Sequence, residues 1–582
     1  MTDPVLFLIP ARAGSRRVPG KNLRTVAGIP LVGHAVRIAR HAAALVPDGP
    51  HAVVCSTDDA RIAAVAEAWH ADPSIARPPE LADDRASSVD VAVHALETLE
   101  KAGRRFRRVV LVQPTSPLTD PGDVARAVAR ADETGTGAVS VVRSHPVGWH
   151  HLRGADDRLL PVGDSAEPGT ASAPSWLLTG AFYVTTPEDL RAGRRFVEPG
   201  RTLGLEVAPA RSVDVDEELD LAIAAAIASA RPIRPVPLGP HRIGAGPAFI
   251  IAEAGINHDG DVTIAHAIVD AAADAGADAV KFQTFDPARL ATAAAPTAAY
   301  QRASGEDGSQ RAMLERYALP VDAWPALQAH ATERGLIFLS SPFDEGSADL
   351  LDRLDVPAFK VPSGELTNIP FLRHLAAKGR PLLVSTGMAD MLEVADALDA
   401  IAAVADLPVA LFHCVSSYPA DPADADLASM AVLRSAFGVP VGWSDHTLGI
   451  ELATAAAAMG AQLFEKHLTL DRARPGPDHR ASIEPEAFGR LVAAVRMVEA
   501  ARGEGLKHPS ADELATAAVA RKSLHWSRPL DAGGTVRPGD LVALRPGTGV
   551  PPGRLDSIVG RRLARPVRAG APLELDDLEA GS

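Results

Sequence analysis

The first group of residues that could do chemistry lies near the N-terminus, in the stretch I-P-A-R-A-G-S-R-R-V-P-G-K-N at positions 9–22. A short apolar run precedes it, so a predicted strand leads into a loop that carries Arg12, Ser15, Arg16 and Lys21. The backbone N–H groups of such a loop and its cationic side chains can together surround the oxygens of a triphosphate. The spacing is not that of a Walker A motif, so the loop alone is a weak indicator of nucleotide binding.

Two further stretches strengthen this interpretation. Residues 113–118, Q-P-T-S-P-L, follow a predicted strand and offer an amide and hydroxyls suited to a base or a sugar. Residues 212–216, S-V-D-V-D, are predicted to place Asp214 and Asp216 on one face of a strand. Two carboxylates at that spacing can share a divalent cation with phosphate oxygens. Together the three stretches predict metal-assisted nucleotidyl transfer.

A second group of chemically active residues is spread over the C-terminal half, where strand after strand is predicted to end in a polar side chain. These strand-end residues are Glu253, Lys281 with Gln283, Ser341, Lys360 with Glu365, Ser385, Tyr418, His446, and Glu465 with His467. Lysines and serines suit a small phosphorylated substrate, and two imidazoles on adjacent strands suit a divalent metal that also binds substrate oxygens. Any one of these residues is readily explained as a polar core group, but the whole set predicts an active site.

The elements that must position the first group alternate between strand and helix. Predicted strands lie at 6–11, 52–57, 109–112, 138–142 and 181–185. Predicted helices lie at 31–43, 60–69, 89–103, 123–134 and 217–229. This order predicts a mostly parallel α/β sheet with crossover helices.

The elements that must position the second group are more regular. Predicted strands lie at 249–257, 279–285, 336–343, 358–365, 381–388, 409–418, 441–446 and 462–470, mostly with helical segments between them. Eight βα units over about 250 residues is the size of a (β/α)8 TIM barrel, whose reactive groups lie at the C-terminal ends of the strands. From about residue 521 the chain is rich in Gly and Pro with short apolar pieces, which predicts a small β-rich domain.

A proline-rich stretch at 231–247 separates the two groups. Its five prolines exclude a continuous helix and favour an extended, semi-rigid spacer, although a long surface loop inside one domain is the alternative. The predicted domains are a nucleotidyltransferase domain at 1–230, the linker at 231–247, the barrel at 248–502, a tether at 503–520 and the β-rich domain at 521–579.

Bulk composition limits the function classes. A chain of 582 residues is too long for one hydrophobic core, so several domains are expected. A net charge of −15 argues against a nucleic-acid-binding surface, which needs a cationic face. Only two cysteines occur, so no disulfide framework is expected. No apolar run reaches the length of a membrane span and the N-terminus lacks signal-peptide features, which predicts a cytoplasmic protein that binds no membrane.

Residues 1 to about 230 resemble CMP-sialic acid synthetases, whose motifs I-P-A-R-x-G-S-x-R-x-P-G-K-N, Q-P-T-S-P-L and V-D-x-D occur here in that order. The resemblance implies that CTP is bound by Arg12, Ser15, Arg16, Lys21, Asn22, Ser88, Gln113, Thr115 and Ser116. It also implies Mg²⁺ at Asp214 and Asp216. Two positions depart from the family, since Arg16 stands where lysine is usual and Thr119 where arginine is common.

Residues 248–579 resemble sialic acid synthases with their C-terminal antifreeze-like SAF domain. The strings that carry the resemblance are I-A-E-A-G-I-N-H-D-G at 251–260, V-K-F-Q-T at 280–284, K-V-P-S-G-E at 360–365, L-V-S-T-G-M at 383–388, H-C-V-S-S-Y-P at 413–419, S-D-H at 444–446, F-E-K-H at 464–467, P-G-P-D-H at 475–479 and R-P-G-T-G-V at 545–550. The resemblance implies condensation of phosphoenolpyruvate (PEP) with N-acetylmannosamine or a related N-acyl hexosamine.

The same resemblance implies roles for individual residues of the synthase. PEP is expected to contact Lys281, Gln283, Ser341, Lys360, Ser363, Ser385, Ser416 and Ser444, of which Ser341 and Ser416 depart mildly from the family pattern. Mn²⁺ or Mg²⁺ is expected at His446 and His467. The sugar is expected against Glu253, Glu365, Tyr418, Asp478 and Arg545, and the catalytic set is Glu253, Lys281, Lys360, Glu365, Asp478 and Arg545. The family's SAF arginine reaches the neighbouring subunit, so Arg545 implies a homodimer in which the SAF domain reaches the partner barrel.

The function expected from both resemblances is bifunctional. The barrel makes a nonulosonic acid and releases phosphate, and the N-terminal domain couples that acid to CMP from CTP and releases pyrophosphate. Sialic acid (N-acetylneuraminate) is the first expectation, legionaminic acid is a close alternative, and the pseudaminic branch is less favoured. Two other hypotheses remain open: one half is an inactive scaffold, or the chain is a non-enzymatic sugar-nucleotide sensor.

Overall fold

The computed structural model describes residues 3–47, 49–83, 86–144, 151–153, 159–161, 175–298, 301–302, 308–503 and 505–579. The chain divides into two compact units, Met1–Ala501 and Arg502–Ser582. The first unit contains the predicted nucleotide-binding sheet and the predicted barrel, and the second contains the predicted small β domain.

The N-terminal part of the first unit is built on a mixed sheet. Its strands are β1 (Val5–Pro10), β2 (Thr25–Val26), β3 (Ile29–Pro30), β4 (Ala52–Thr57), β5 (Asp72–Ala76), β6 (Arg108–Val112), β7 (Gly137–Ser144), β8 (His151–Arg153), β9 (Leu159–Pro161), β10 (Ser175–Thr185) and β11 (Thr202–Glu206). Seven of them form one sheet in the order β11-β7-β10-β6-β1-β4-β5. Only β10 runs antiparallel to its neighbours in this sheet, which confirms the prediction of a mostly parallel α/β sheet.

Helices cover both faces of this sheet. They are α1 (Leu31–Leu45), α2 (Ala60–Ala68), α3 (Ser88–Lys101), α4 (Pro121–Thr134), α5 (Pro187–Arg191) and α6 (Glu218–Ser229). Helix α2 begins where the Asp59 side chain accepts from the Arg61 N–H, and α4 begins where Asp120 accepts from the Gly122 N–H. Side chains of β1 are buried on both faces, since one core lies under α1 and α4 and another under α3.

The proline-rich stretch is not the extended spacer that the sequence predicts. It forms a hairpin of β12 (Val236–Leu238) and β13 (His241–Ile243). Val236, Leu238 and Ile243 are fully buried against Phe249 and other residues near the amino ends of the barrel strands. The stretch therefore closes the amino end of the barrel, because its alternating apolar side chains pack into the hydrophobic core there.

Eight parallel strands form the barrel. They are β14 (Phe249–Gly255), β15 (Ala279–Thr284), β16 (Ile337–Pro342), β17 (Phe359–Val361), β18 (Leu382–Ser385), β19 (Val409–Cys414), β20 (Val441–Asp445) and β21 (Leu463–His467). Hydrogen bonds join them in the order β16-β15-β14-β21-β20-β19-β18-β17. Strands β16 and β17 lie side by side and complete the ring. The predicted TIM barrel is confirmed.

Helices surround the barrel and bury their apolar faces against the strands. They are α7 (Val262–Asp274), α8 (Pro287–Leu290), α9 (Gln310–Tyr317), α10 (Trp324–Glu333), α11 (Glu345–Arg353), α12 (Ile369–Ala376), α13 (Met391–Ala402), α14 (Ser429–Phe437), α15 (Glu451–Ala458) and α16 (Pro485–Arg502). Among the described residues, no helix combines the length and the apolar character that crossing a bilayer requires.

The sheet domain and the barrel pack directly on each other within the first unit. Asp399 on α13 accepts from Arg37 at 2.9 Å and pairs with His41 at 2.8 Å, both on α1. Burial alone would raise the pKa of Asp399, but these two partners outweigh it and lower that pKa to about 2. Ala395 and Ala436 of the barrel helices belong to the hydrophobic core of the sheet domain. The two domains therefore share a core and an ion-pair cluster.

The second unit is a small β-rich domain, as predicted. Strands β22 (Ser523–Trp526) and β23 (Leu541–Leu544) pair antiparallel, and the unit also contains α17 (Ala511–Ala520) and α18 (Leu555–Ile558). Trp526 is the largest residue of its core and donates its indole N–H to Asp577 at 3.0 Å. Much of the predicted tether is helical, because Ser510 and Glu513 form a capping box that begins α17.

Candidate active sites

A cavity of about 440 Å³ opens at the C-terminal ends of the barrel strands. The structure brings together in its wall nearly all the barrel residues predicted to be functional: Glu253, Lys281, Gln283, Ser341, Lys360, Ser363, Ser385, Ser416, Tyr418, Ser444, His446, His467 and Asp478. This convergence follows from the fold, since parallel strands deliver their terminal residues to one end of a barrel.

Two buried lysines and two buried glutamates form the charged centre of this cavity. Lys281 Nζ lies 2.8 Å from Glu253 Oε2 and 3.0 Å from Ser341 Oγ. Glu465 accepts from Lys360 at 3.2 Å and lies 3.7 Å from Lys281, so it bridges the two lysines. The sequence places Glu465 at a strand end, but its role as the shared counter-charge becomes visible only when β15, β17 and β21 are brought together.

The electrostatics of the four groups differ sharply. Burial raises the pKa of Glu253 to about 7, although Lys281 opposes the shift. Burial would also raise the pKa of Glu465, but Lys281 and Lys360 outweigh it and lower that pKa to about 2. Burial lowers the pKa of Lys360, whereas the two glutamates outweigh burial and raise the pKa of Lys281. The centre therefore holds one firmly ionised carboxylate between two cations, and a second carboxyl that can exchange a proton near neutral pH.

Two imidazoles lie beside this centre on adjacent strands. The ring centroids of His446 and His467 are 5.4 Å apart, and the ring of Tyr418 lies 4.2 Å from that of His446. His446 Nδ1 bonds to the Val415 carbonyl at 2.7 Å, which leaves Nε2 as the available lone pair. Burial lowers the pKa of both histidines, which favours the neutral ring, the form that binds a metal.

These imidazoles fit a divalent cation whose remaining ligands come from substrate. Nδ1 of His467 is buried without a hydrogen-bond partner among the described residues, and it lies 3.9 Å from Asp478 Oδ2. Within the same part of the chain, no three His, Cys, Asp or Glu side chains are arranged to hold a metal on their own. A cation at His446 and His467 would therefore need oxygens from substrate or water, as an open catalytic site does.

The serines of the cavity converge on a glycine. A Cβ at Gly387 would lie 2.2 Å from Ser416 Oγ and 2.8 Å from Ser363 Oγ. Ser363 Oγ accepts from the Gly387 N–H at 3.1 Å, and Ser385 Oγ accepts from Lys360 Nζ at 2.7 Å. The close approach explains the glycine in the S-T-G-M stretch, because a side chain there would collide with both hydroxyls.

Two predicted synthase residues lie elsewhere. The structure does not bring Glu365 to the cavity, because Ser363–Glu365 forms a short 3-10 turn in which Glu365 Oε2 accepts from Asn368 Nδ2 at 2.7 Å. The prediction that Glu365 contacts the sugar is not supported by this geometry. Arg545 belongs to the second unit, where it is exposed and follows β23 directly.

The N-terminal loop borders a second cavity, of about 490 Å³. Predicted nucleotide-binding residues in its wall are Arg12, Ser15, Arg16, Lys21, Asn22, Gln113, Thr115 and Asp216. Asn22 Nδ2 donates to the Arg12 carbonyl at 2.8 Å, and the Ala13 N–H donates to Asp58 Oδ1 at 2.8 Å. The loop is therefore tied to itself and to the end of β4, while its cations face the cavity.

One of the two predicted acidic residues, Asp216, lies among these cations. Lys21 Nζ donates to the Val215 carbonyl at 2.8 Å and to Asp216 Oδ1 at 3.0 Å. Thr115 donates a hydrogen bond to Asp214. Partial removal from water raises the pKa of Asp214, and the Asp216 carboxylate adds to this effect. Two neighbouring carboxylates that repel each other fit a Mg²⁺ ion that takes its remaining oxygens from phosphates and water.

Four details of the nucleotide site differ from the sequence predictions. Residues 213–216 belong to no strand, and the Val215 N–H donates a single backbone hydrogen bond to the Thr115 carbonyl at 2.7 Å. Asp214 does not line the cavity and lies against Gly180, where a Cβ would be 3.3 Å from Oδ2.

The other two concern serines. Ser88 is exposed at the first turn of α3, which Ser87 caps, and it does not line the cavity. Ser116 is buried, and its hydroxyl also lies outside the cavity wall. A residue that the sequence reasoning missed is Arg17, which lines the cavity and lies 3.6 Å from Asp216.

The two sites define the class of protein. A cation-rich loop on a mostly parallel sheet, with an aspartate beside its cations, is the arrangement of a nucleotidyltransferase. A barrel mouth with paired lysines, clustered serines and neutral imidazoles is that of an enzyme acting on a phosphorylated substrate. The chain is therefore a two-site transferase with a small third domain.

Family models give the same division. They match residues 6–145 as Cytidylyltransferase, residues 268–507 as NeuB family and residues 521–579 as SAF domain. The chain belongs to the NeuB family and carries a cytidylyltransferase domain in front of the synthase. The resemblances predicted from the sequence are confirmed for all three domains.

Curated relatives match the synthase part of the chain over nearly their whole length. N,N'-diacetyllegionaminic acid synthase of Legionella pneumophila is 44% identical over 338 residues, which are 57% of this chain and 95% of the relative. The protein of the same name from Campylobacter jejuni is 39% identical over 316 residues, 54% of this chain and 95% of the relative. N-acetylneuraminate-9-phosphate synthase of Mus musculus is 34% identical over 329 residues, 55% of this chain and 89% of the relative.

Proposed function

We propose that the chain carries out two consecutive steps of nonulosonic acid biosynthesis. The barrel condenses PEP with an N-acyl hexosamine to give a nonulosonic acid and phosphate, and the sheet domain couples that acid to CMP from CTP. The observation that carries the proposal is the barrel mouth, where two buried lysines and five serines line a volume beside two neutral imidazoles. A phosphate, a carboxylate and an aldehyde would each find suitable groups there.

In the proposed condensation the buried charges orient PEP. Lys281 with Ser341, and Lys360 with Ser385, offer two cationic positions for the phosphate and carboxylate. The methylene carbon of PEP forms the new bond to the aldehyde carbon of the sugar, water adds at C2, and phosphate leaves. Glu253 is held by Lys281 and Gln283 and is placed to transfer a proton between the water and the former aldehyde oxygen.

His446 and His467 would hold Mn²⁺ or Mg²⁺ in this site. The chemistry that a bound divalent cation supplies there is polarisation of the sugar aldehyde. The Tyr418 ring contacts that of His446 at a tilt of 38° and lines the same wall, so it is placed against the sugar. Asp478 lies at the rim of the imidazole pair and would accept a sugar hydroxyl.

In the proposed second reaction the N-terminal loop holds the triphosphate. Arg12, Arg16 and Lys21 offer cations to the phosphate oxygens, and Gln113 with Thr115 offers polar contacts to the nucleoside. Mg²⁺ at Asp214 and Asp216 would neutralise phosphate charge. An oxygen of the nonulosonic acid attacks the α-phosphorus of CTP, and pyrophosphate leaves.

The acceptor sugar is proposed from the relatives. The two proteins named N,N'-diacetyllegionaminic acid synthase are 44% and 39% identical to this chain, against 34% for the N-acetylneuraminate-9-phosphate synthase. We therefore place a diacetylated amino sugar that leads to legionaminic acid ahead of N-acetylmannosamine, reversing the order expected from motifs. Sialic acid remains the second candidate, because the cavity residues are compatible with either product.

We also propose that the chain works as a homodimer. Arg545 is exposed at the end of β23 and would contact the sugar in the partner subunit's barrel. Mixing the inactive variants Arg545→Ala and His446→Ala should restore synthase activity in mixed dimers. If mixing the two variants restored no activity, this arrangement would be wrong.

The experiment that tests the main proposal assays both reactions on one preparation. The protein is incubated with PEP, Mn²⁺ or Mg²⁺ and each acceptor sugar, and phosphate release is measured. CTP is then added, pyrophosphate release is measured, and the mass of the CMP product is determined by mass spectrometry. His446→Ala should abolish phosphate release and spare CTP-dependent activation of supplied nonulosonic acid, and Asp216→Asn should do the reverse. If either variant lost both activities, the two sites would not be independent.

A further inference from the structure

Three cavity side chains meet over the backbone of Gly255. A Cβ at this position would lie 3.5 Å from Glu253 Oε1, from His467 Nδ1 and from Asp478 Oδ2. Glu253 and His467 belong to barrel strands, so the barrel's own hydrogen bonds fix them. Asp478 belongs to the loop between β21 and α16, and its position must be fixed by contacts of that loop.

The loop is anchored by the segment that follows β14. Asn257 Nδ2 donates to the Leu468 carbonyl at 2.9 Å and to Ser482 Oγ at 2.8 Å. Ser482 Oγ in turn donates to the Asp478 carbonyl at 2.7 Å. Asn257 therefore holds the two ends of the loop, and on the side that follows Asp478 the Ala481 and Ser482 N–H groups donate to the Asp478 carbonyl at 3.2 and 3.1 Å.

A second anchor holds that side of the loop. Buried His479 follows Asp478 in the chain, and its Nε2 lies 3.0 Å from Asp259 Oδ1. Its other nitrogen lies 2.7 Å from Thr469 Oγ1. Arg474 Nη2 donates to Asp259 Oδ2 at 2.8 Å, so each carboxylate oxygen of Asp259 receives one loop residue.

The backbone is shaped around this carboxylate. Asp259 has a φ of +55°, a conformation that costs a non-glycine residue free energy and persists where the surroundings hold it. A Cβ at Gly476 would lie 2.8 Å from the His479 ring and 3.4 Å from Asp259 Oδ1, so a glycine is needed there. The H-D-G and P-G-P-D-H stretches thus form one contact, which the proposed reaction itself does not use.

We propose that Asp259 is a positioning residue of the synthase, which acts through His479 to fix the loop that presents Asp478 to the sugar. This inference rests on the proposed function of the barrel. Asp259 does not line the cavity, and its bonds to His479 and Arg474 reach the cavity through the loop that carries Asp478. A misplacement of about 1 Å in such a group costs on the order of 100-fold in rate.

The first test is Asp259→Ala in the full-length chain. It should lower kcat/KM for the acceptor sugar by about 10- to 100-fold, in line with a displaced sugar contact, and change the KM for PEP less than about twofold. Asp259→Asn keeps one acceptor for His479 and should recover part of the loss. Cytidylyltransferase activity of the same preparation should stay unchanged.

Asp349→Ala is the matched control, because Asp349 forms a comparable pair with His374 at 2.8 Å on helices away from the cavity. It should leave both sugar and PEP kinetics unchanged. If Asp259→Ala is too unstable to assay, the isosteric Asp259→Asn variant carries the test, with an expected loss of several-fold in kcat/KM for the sugar.

The decisive comparison uses the double variant Asp259→Ala/Asp478→Ala. If Asp259 acts through Asp478, the double variant is no worse than Asp478→Ala alone, because the loop then has nothing to present. Losses that multiply, or equal effects on PEP and sugar, would overturn the inference. The wild-type protein is assayed first: if it forms no product from PEP, the proposed function fails, whereas a working wild type with an unaffected Asp259→Ala variant defeats only the positioning role.

Discussion

The two cavities of the first unit have similar volumes, about 440 and 490 Å³, but they hold their charges in opposite ways. In the barrel the side chains of Lys281 and Glu253 are 3% and 1% exposed, and the lysines and glutamates pair with one another. In the nucleotide pocket the side chains of Arg17 and Asp216 are 66% and 54% exposed. The barrel site is a closed network that needs internal neutrality, whereas the nucleotide site is an open cationic surface.

This difference has consequences for substitution. A charge removed from a closed network leaves its partner buried and uncompensated, so folding and catalysis suffer together. A charge removed from an open pocket leaves its partner in water, so affinity suffers alone.

The largest effect is expected from Glu465→Gln. The carboxylate bridges Lys281 and Lys360, and its removal leaves Lys360 without a counter-charge in the barrel interior. We expect the barrel to lose about 3–5 kcal/mol of stability and the synthase to lose nearly all activity. Urea unfolding followed by circular dichroism, with cytidylyltransferase activity measured on the same samples, should show that the loss lies in the barrel.

Two variants control that experiment. Glu486→Gln removes a carboxylate that is 91% exposed and pairs with Arg490 on the surface, and it should change nothing measurable. The double variant Glu465→Gln/Lys360→Met removes both members of the pair and should regain most of the stability without regaining activity. A barrel as stable with Glu465→Gln as without it would show that the network is not closed.

A smaller effect is expected from Lys21→Met in the nucleotide pocket. Lys21 faces the cavity and bonds to Asp216 and to the Val215 carbonyl, and its side chain is 15% exposed. We expect kcat/KM for CTP to fall by about 100-fold, as for loss of a charged contact to the transition state. Thermal unfolding and PEP-dependent phosphate release should stay close to wild type.

Arg130→Met is the matched control for this variant, because Arg130 pairs with Glu133 on the exposed face of α4. It should leave kcat/KM for CTP unchanged. A large loss of stability in Lys21→Met would mean that the nucleotide pocket, too, depends on internal pairing.

The contrast between the sites was only partly predictable. The barrel strands and the residues at their ends could be predicted, because continuous apolar runs give the strands and parallel strands share one end. The pairing of Glu465 with two lysines could not, since it joins residues more than 100 positions apart. Glu365 and Ser88 show a second limit: a short turn and a one-residue shift of a helix cap redirect side chains that local patterns cannot orient.

The hairpin at Val236–Ile243 shows a third limit. Prolines in this stretch correctly exclude a helix. Local composition does not reveal, however, that Val236, Leu238 and Ile243 pack against the amino end of the barrel. Similarly, the packing of α1 on α13 through Arg37 and Asp399 depends on the surfaces of both domains. What sequence reasoning lacked in each case was the long-range partner.

The smallest effect, and the most direct comparison, is the response to salt. Exposed charges are screened at ionic strengths where the Debye length falls below about 10 Å, whereas buried pairs are screened much less. Raising KCl from about 0.05 to 0.5 M should therefore raise the KM for CTP several-fold and the KM for PEP less than about twofold. Both constants are measured on one preparation. A parallel series replaces KCl with sodium sulfate, because sulfate resembles phosphate and shows how much of the change comes from competition for a phosphate position. Equal salt dependence of the two constants would mean that PEP, like CTP, meets its cations in open solvent, and the proposed closed network would then not describe the site that the substrate enters.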